Sequence, residues 1–426
     1  MIKIKLDKKV EDQFKKIYQD DQADGKASSK KKTSIIEKLH TEITTYLDGT
    51  NPKAHNPIVR AFLCAQFGSD PGKITHTMLL DYLLRKDLTE IIQSFWRSVS
   101  RVWTEKLAAR GEMTKVTDEY AQVLGSWPAE KEKAMSRKKA IDRIPIITAV
   151  ITKETLPLFA NIKESDLNPN AKQGTVISNK TELKQVTLRF PDDLYKEDTG
   201  AIDILSGIFD YDFLDGSPRH QLISAMEIPV CPYCNRQYIT SYSEDGDQMT
   251  TADLDHYYCK SIYPFLALSL YNFIPSCQIC NSRFKLAKDF YLKPHLYPYD
   301  GICGNEVKFR LANDRLLFDE SAWNKKDDPF LKIETRGEAA ANAKATFHLE
   351  EVYESHREYV HEIAWKNMVY SEEMIASLQK DFSGLFDEER DVRDLIFGQY
   401  INDDEAYKRP LGKLTKDILD EINKSK

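Results

Sequence analysis

Residues 231–289 read CPYCNRQYITSYSEDGDQMTTADLDHYYCKSIYPFLALSLYNFIPSCQICNSRFKLAKD. The segment contains two Cys-x-x-Cys pairs, Cys231/Cys234 and Cys277/Cys280, with 42 residues between them. Each pair presents two thiolates at the short spacing that a tetrahedral zinc ion uses, and two such pairs form a specific pattern. The sequence therefore predicts a structural zinc ion held by four cysteines. The alternative is two coincidental pairs of buried cysteines.

The residues between the two pairs predict a β-hairpin that carries an acid and a histidine. Residues 236–242 alternate like a strand, residues 244–247 are typical of a turn, and a return strand is expected to reach Asp255 and His256. In metal-assisted hydrolysis a carboxylate binds a divalent cation, and a neighbouring imidazole takes the proton from an attacking water. A lone Asp-His pair is usually a pair of surface residues. Its position inside the cysteine loop favours a hydrolytic site here.

The stretch DLDHYYCKSIYPFLALSLYNFIPSCQICNSRFK resembles the HNH (His-Me finger) endonucleases, in the form whose cysteine knuckles flank the catalytic hairpin. That family has Asp-His, then Asn in N-x-x-P-x-C, then C-x-x-C-N-x-x-x-K. The resemblance implies that His256 is the general base and that Asn272 fixes the loop holding it. It also implies that Asp255 and Asn281 bind a catalytic Mg²⁺ or Mn²⁺, and that the reaction is phosphodiester hydrolysis.

Two further groups near this stretch are candidate substrate contacts. Lys285 follows Asn281 by one helical turn, so it is expected to face the same way and to contact a phosphate. A solvated lysine is the alternative. The segment from His295 to Tyr299 is a candidate ligand or substrate contact, against the simpler interpretation of a packed loop.

A narrower resemblance covers about residues 200–426. The segments CPYCNRQYI, KPHLYPYDG and RPLGKLTKDI, together with the Asp-His stretch, resemble the HNH subunit of Septu and retron-associated anti-phage systems. The resemblance implies an effector of antiviral defence with a partner ATPase similar to ABC or SMC proteins. The chain contains no G-x-x-x-x-G-K-[ST] motif, which fits a nuclease whose ATPase is a separate subunit.

The charge balance counts mildly against a nucleic-acid substrate. The chain has 60 Lys and Arg against 67 Asp and Glu, a net charge of −7, whereas nucleic-acid binders are usually basic. Residues 231–288 carry five of each sign. Net charge does not determine the potential in a local groove, and a bound cation adds positive charge. DNA is therefore kept as the expected substrate, ahead of RNA.

Composition predicts a cytoplasmic globular protein with no membrane partner. The chain has 426 residues, 41% hydrophobic and 30% charged, and its apolar runs are too short to span a bilayer. The N-terminus shows no signal-peptide pattern. Seven cysteines in such a chain do not indicate a disulfide framework, and Cys64, Cys259 and Cys303 are expected to be small core residues.

The expected fold class is α+β: a largely helical chain around a zinc-stapled ββα-metal core of the HNH, treble-clef-like type. Apolar residues recur at helical spacing from 33 to about 110, with Gly111 as a stop signal, and β-branched runs occupy 146–152 and 185–190. Residues 25–32 resemble a linker. The expected units are a helical N-terminal region (1–140), a mixed α/β segment (141–228), the HNH nuclease core with its Cys₄ site (229–300) and a mainly helical C-terminal region (301–426).

Three hypotheses of function follow from the sequence. The first is a DNA endonuclease that acts as the effector of a defence complex. The second is an RNA (tRNA) nuclease with the same site, because a metal and a base recognise only the phosphate. The third is a non-catalytic zinc-binding interaction module. The combination of Asp255, His256 and Asn281 disfavours the third, because a purely structural zinc site needs none of them.

Overall fold

The structure is a computed structural model. It describes residues 2–20, 33–51, 55–109, 146–151, 184–189, 192–245, 247–300, 305–313, 328–401 and 407–424, with 316, 321, 323 and 405. Side chains are not described at 100, 103–109, 146–151, 184–189, 192–199 and 247–248. The expected linker at 25–32, the stop signal at Gly111 and Cys303 lie outside the described residues.

Helices dominate the described part of the chain before residue 230. They are α1 (Lys8–Gln19), α2 (Ile35–Asp48), α3 (Pro57–Phe67), α4 (His76–Leu83), α5 (Leu88–Ala109), α6 (Asp192–Ile208) and α7 (Ser217–Ala225). The helix α2 shows why these elements form. The Ser34 hydroxyl caps its first turn, a stripe of apolar residues at helical spacing is buried, and Gly49 ends it with φ of 85°. The helical structure expected from residue 33 to about 110 is confirmed for the described residues of that range.

The N-terminal helices support the loop that precedes β6. The Tyr18 hydroxyl on α1 donates to the carbonyl of Leu268, and the Tyr82 hydroxyl on α4 donates to the carbonyl of Phe265, both at 2.9 Å. The ring of Phe265 also packs against Phe62, with centroids 4.9 Å apart. Buried hydroxyls need such partners, and each bond fixes the loop backbone relative to a helix.

The described strands form two-stranded antiparallel sheets. These strands are β1 (Ile146–Ile151), β2 (Lys184–Arg189), β3 (Ser241–Glu244), β4 (Asp247–Thr250), β5 (Asp253–His256), β6 (Phe273–Ser276), β7 (Val307–Leu311) and β8 (Leu331–Thr335). They pair β1 with β2, β3 with β4, β5 with β6 and β7 with β8. The two β-branched runs in the middle of the chain form the strands β1 and β2, which pair with each other.

The hairpin expected between the cysteine pairs is only partly correct. A hairpin does turn between Glu244 and Asp247, but its return strand ends at Thr250. The strand that carries Asp255 and His256 is separate and pairs with β6. The strands β3 to β6 have four residues each. Such a strand is too short for its alternation to identify the partner strand.

Helices also dominate after residue 336. They are α8 (Glu338–Thr346), α9 (Leu349–Tyr353), α10 (Arg357–Val369), α11 (Glu372–Asp381), α12 (Glu389–Phe397) and α13 (Gly412–Lys424). The segment 349–363 packs into the core through Leu349, Tyr353, Val360 and Ile363. The backbone of β7 is joined to α13, since Phe309 N donates to the Asp417 carboxylate at 3.0 Å.

The fold is a helix-rich α+β arrangement with small antiparallel sheets, as the sequence predicted at that level. Buried apolar residues of the N-terminal helices, the segment 230–300 and the C-terminal helices belong to one continuous core. None of the helices in the described ranges combines the length and the apolar character that crossing a bilayer requires.

Candidate metal and catalytic site

The four paired cysteines converge on one point. The sulfurs of Cys231, Cys234, Cys277 and Cys280 all lie within 4.8 Å of one another, and all four residues are buried. Sulfurs around a zinc ion with Zn–S bonds of about 2.3 Å are about 3.8 Å apart, so the spacing suits a tetrahedral ion. The cluster can hold a metal ion such as zinc.

The thiols of this cluster affect one another through hydrogen bonds and burial. Hydrogen bonds to Cys231 lower the pKa of Cys234 and of Cys277. Burial raises the pKa of Cys231, and hydrogen bonds with the other thiols raise the pKa of Cys280. Zinc binds thiolates, so loading the cluster releases the protons that remain.

Residues 231–235, the first knuckle, are held by hydrogen bonds from the C-terminal part of the chain. Asn235 is fully buried and adopts φ of 50°, a left-handed conformation that asparagine tolerates better than most residues. Its side-chain oxygen accepts from Lys413 N at 3.0 Å, and the Cys234 carbonyl accepts from the Tyr353 hydroxyl at 2.7 Å. The knuckle geometry therefore depends on α9 and α13.

Asp255 lies in the middle of β5 and is buried. One carboxylate oxygen accepts from the Tyr233 hydroxyl at 2.6 Å and the other accepts from the Lys285 ammonium at 3.0 Å. Lys285 also donates to the carbonyl of His256 at 2.6 Å. Tyr233 lies between the two cysteines of the first knuckle, so the cysteine cluster and the acid are directly connected.

The side chain of Lys285 is buried, so the alternative of a solvated lysine is wrong. It is 1% exposed and ends the π-helical turn Ile279–Lys285, in which Leu286 N donates to the carbonyl of Asn281 at 2.9 Å. The i to i+5 bond makes a wider turn than an α-helix, so α-helical spacing does not give the direction of this side chain. The ammonium is engaged by Asp255. A phosphate contact would have to use its third proton, and that contact stays a prediction.

His256 ends β5 with its ring held in one orientation. Its Nε2 lies 2.9 Å from the carbonyl oxygen of Ala267, and because a carbonyl only accepts, Nε2 carries the proton. The neutral ring then has its lone pair on Nδ1. Burial lowers the pKa of His256 to about 3, and the Ala267 carbonyl only partly opposes this, so the ring is neutral at neutral pH. A neutral imidazole with an accepting nitrogen is what a general base requires.

Asn272 closes the loop between β5 and β6. Its side-chain oxygen accepts from Tyr258 N at 2.8 Å, and its amide donates to the carbonyls of Tyr258 at 3.0 Å and Leu266 at 3.1 Å. Asn272 is fully buried, so all three bonds are shielded from water. The side chain thus ties together the two ends of the loop 258–266, next to the Ala267 carbonyl that orients His256.

Asn281 approaches an acid that the sequence interpretation had not singled out. Its amide donates to the Asp253 carboxylate at 3.0 Å, and the Ser282 hydroxyl donates to the same oxygen at 3.3 Å. Asp253 and Asp255 are two residues apart on β5, so they share a face of the strand. Asp253 is half-exposed, whereas Asp255 is buried.

A cavity of about 520 Å³ joins these groups. Its walls include every residue of β5, together with the following side chains: Tyr211, Arg219, Lys260, Asn281 and Lys285. The ring of Tyr211 lies edge-on to His256 with centroids 4.7 Å apart, and the Lys260 ammonium is 4.0 Å from the Tyr211 centroid. Three cationic side chains and two carboxylates line the cavity, and Asp215 forms an ion pair with Arg219 at 3.4 Å.

The structure therefore brings together His256, Asp255, Asn272, Asn281 and Lys285 around one cavity or directly behind it. Sequence reasoning missed Asp253, Tyr233, Tyr211 and Arg219. Tyr233 lies between Cys231 and Cys234, and Tyr211 and Arg219 come from a separate part of the chain. The alternation of Asp253 with Asp255 was the one available signal, since it places both carboxylates on one strand face.

The segment from His295 to Tyr299 packs as a loop rather than entering the cavity. His295 is buried, with its ring nitrogens 2.6 Å from the Lys293 carbonyl oxygen and 2.8 Å from the Thr346 hydroxyl oxygen, and it stacks on Phe290 at 3.7 Å. Both ring nitrogens are occupied. The simpler interpretation of this segment is therefore correct.

No protein-family model, curated protein or solved structure matches this chain.

Lys285→Met is expected to destabilise the protein by about 3–5 kcal/mol, because it leaves the buried Asp255 carboxylate without its cation. Thermal and urea unfolding of protein with its metal retained should show this loss. Lys288→Met is the matched control, since Lys288 is exposed three residues later, and it should change stability by less than about 0.5 kcal/mol. Adding Asp255→Leu to Lys285→Met should recover much of the loss. A single variant as stable as the wild type would contradict the importance of this pair.

Proposed function

We propose that this protein is a metal-dependent endonuclease of the HNH type that hydrolyses phosphodiester bonds in DNA. The observation that carries the proposal is the fixed orientation of His256. The Ala267 carbonyl holds Nε2, Asn272 holds the adjoining loop, and the accepting Nδ1 belongs to a residue that lines the cavity. A zinc-binding interaction module would need neither this orientation nor the cavity.

In the proposed reaction His256 accepts a proton, and its neighbours stabilise the negative charge of the phosphate. In this proposal, Nδ1 of His256 takes the proton from a water that attacks phosphorus. Arg219 and Lys260 on the cavity wall would attract and orient the phosphate, because cationic side chains in a recessed site interact strongly with an anion. Asn272 is a positioning residue, since it acts on the loop and not on the substrate.

The donor set near His256 fits a hard divalent cation. Asp253 and Asn281 offer a half-exposed carboxylate and an amide oxygen, with Asp255 behind them. Mg²⁺ prefers oxygen ligands and is commonly bound by one or two carboxylates together with waters and substrate phosphates. A bound Mg²⁺ or Mn²⁺ would supply Lewis-acid stabilisation of the phosphate and acidify the attacking water, which offsets the weak basicity of a buried imidazole.

We assign the ion held by the four cysteines a structural role. The cluster is buried and closed, with all ligand positions filled by thiols, which is the pattern of structural zinc sites. Through Tyr233 the first knuckle holds the carboxylate of Asp255. Zinc would therefore stabilise the element that carries the acid, without taking part in the reaction.

The biological setting that we propose is antiviral defence in the cytoplasm, with an ATP-hydrolysing partner subunit similar to ABC or SMC proteins. This part rests on the resemblance of residues 200–426 and on the chain having no P-loop motif. The acidic net charge also suits a nuclease that leaves DNA binding to a partner. Co-purification with an ATPase would support it. A chain that is fully active alone on naked DNA at physiological salt would remove the partner and leave the nuclease.

The proposed activity is tested by incubating the purified protein with supercoiled plasmid and, separately, with total RNA, in Mg²⁺, Mn²⁺ or EDTA. Nicked or linear plasmid that forms only with a divalent cation supports the proposal. Cleavage of RNA with intact plasmid would assign the same site to RNA. No cleavage of either substrate, by the chain alone or with its co-purified partner, would favour an interaction module.

Asp253→Asn and Asn281→Ala are each expected to reduce cleavage by about 10–100-fold while leaving the fold intact, because both residues offer oxygen ligands at the half-exposed edge of β5. Raising Mn²⁺ should partly restore each variant, and the rate as a function of Mn²⁺ concentration is the measurement. Asp245→Asn is the matched control, because it removes an exposed charge at the neighbouring β3–β4 turn. If Asp245→Asn lost activity to the same extent, Asp253 and Asn281 would not be specific ligands of the catalytic cation.

A further inference from the structure

A second group of potential metal ligands lies on the N-terminal helices. Glu37, His40 and His76 each offer a ligand atom, and these atoms lie within 4.8 Å of one another. With the four cysteines, they are the groups of this kind found in the part of the chain that the structure describes. Neither the cavity nor the proposed reaction uses them.

The backbone brings these three side chains close together without a bound ion. Glu37 and His40 are three residues apart on α2, so they occupy the same helix face. His76 is the first residue of α4, whose entry is fixed by the Thr75 hydroxyl accepting from Met78 N at 3.3 Å. An ion held by all three side chains would bridge α2 and α4.

His40 has the hydrogen bonding of a metal ligand. Its Nε2 lies 2.9 Å from the carbonyl oxygen of Ile74, so Nε2 donates and Nδ1 is the nitrogen that could bind an ion. Histidines that bind metals commonly donate their other nitrogen to a carbonyl or a carboxylate in this way. The rings of His40 and His76 meet almost at a right angle, 82°, with centroids 5.1 Å apart.

A simple histidine–carboxylate pair explains only part of this arrangement. His76 Nε2 is 2.9 Å from the Glu37 carboxylate, which satisfies those two groups. That pair gives no reason for His40 to be fixed beside it with its second nitrogen bound to the backbone. Two imidazoles and one carboxylate form a donor set that suits zinc and similar borderline ions, whereas Mg²⁺ and Ca²⁺ prefer oxygen alone.

We propose that Glu37, His40 and His76 form a second metal site, which binds Zn²⁺ or a similar borderline divalent cation in exchange with solvent. Three protein ligands leave a fourth position open, which is the pattern of exchangeable and catalytic zinc sites. The side chains of His76 and Glu37 are 42% and 48% exposed, so an ion can enter and leave. Binding would lock α4, and α4 holds the loop before β6 through Tyr82 and Phe265.

Co²⁺ titration of the full chain with its cysteine site already filled by zinc tests the proposal. We expect Co²⁺ to bind this site with visible d–d absorption and without the intense sulfur-to-cobalt band of a cysteine site. His40→Ala and His76→Ala should each weaken binding by more than about tenfold, because even residues that only orient a ligand contribute 10–100-fold. His55→Ala, an exposed histidine on the same N-terminal unit, should bind as the wild type does.

Thermal unfolding in micromolar Zn²⁺ gives a second readout that does not depend on any nuclease activity. An ion that binds the folded protein raises its Tm, so the Tm should rise with Zn²⁺ in the wild type and stay constant in His76→Ala. Should the alanine variants fold poorly, Glu37→Gln decides, since it changes one exposed carboxylate oxygen. Binding that is absent in the wild type, or equal in the wild type and in all three ligand variants, would overturn the proposal.

Discussion

His256→Ala is expected to lower the cleavage rate by about 10²–10⁴-fold, because general-base catalysis typically contributes that factor. The ring is held by one hydrogen bond to Ala267 and by edge contacts with Tyr211 and Phe273, so its loss should cost activity far more than structure. Single-turnover cleavage of plasmid in Mg²⁺ is the measurement. A well-folded His256→Ala protein that cuts at the wild-type rate would show that the base is elsewhere.

His256→Gln separates orientation from basicity. Glutamine can still donate to the Ala267 carbonyl, but its amide cannot take a proton, so this variant should be as inactive as His256→Ala and more stable. The stability of the wild type provides a pH test. In the unfolded chain this histidine takes up a proton near pH 6.5, whereas in the fold burial lowers its pKa to about 3. Stability should therefore fall as the pH drops from 6.5 towards 3, and less steeply in the two variants.

Cys277→Ser is expected to lose the cysteine-bound metal and to unfold the region around β5 and β6. Structural zinc sites contribute on the order of 10–16 kcal/mol of apparent binding free energy in small domains, far more than one side chain. Metal analysis should give one ion at this site in the wild type and none in Cys277→Ser, and near-UV circular dichroism should show the loss of packing around the tyrosines.

Cys64→Ser is the matched control for this change. Cys64 lies on α3, half-buried and away from the cluster, so its substitution should leave the bound metal and the fold unchanged. A metal-free protein that keeps its near-UV spectrum, its Tm and its cleavage activity would show that the four cysteines are simply packed thiols.

The cysteine cluster was predictable because its pattern is local. Two residues between each pair fix the geometry of a knuckle, whatever surrounds it, and the structure brings all four sulfurs together. The same holds for α2, where the cap at Ser34 and the apolar spacing lie within a few turns. Local signals of this kind identify elements and ligand pairs.

The pairing of β5 with β6 and the burial of Lys285 were not predictable in this way. A four-residue strand carries no periodicity that selects its partner, and here the partner follows a loop of 16 residues, 257–272. The direction of Lys285 depends on a π-helical turn, which α-helical spacing does not represent. Tyr211 reaches His256 only through packing of distant segments.

The attachment of Asn235 to α13 also bears on biosynthesis. Its bond to Lys413 N joins residues 178 positions apart in the chain, and Tyr353 is bound to the same knuckle. Contacts of such long sequence separation form late, and translation proceeds at about 5–20 residues per second. The first cysteine knuckle therefore leaves the ribosome roughly ten seconds or more before the helix that completes it. In the nuclease that we propose, the nascent chain would stay inactive during that interval, and the length of this delay would follow from the topology of the chain.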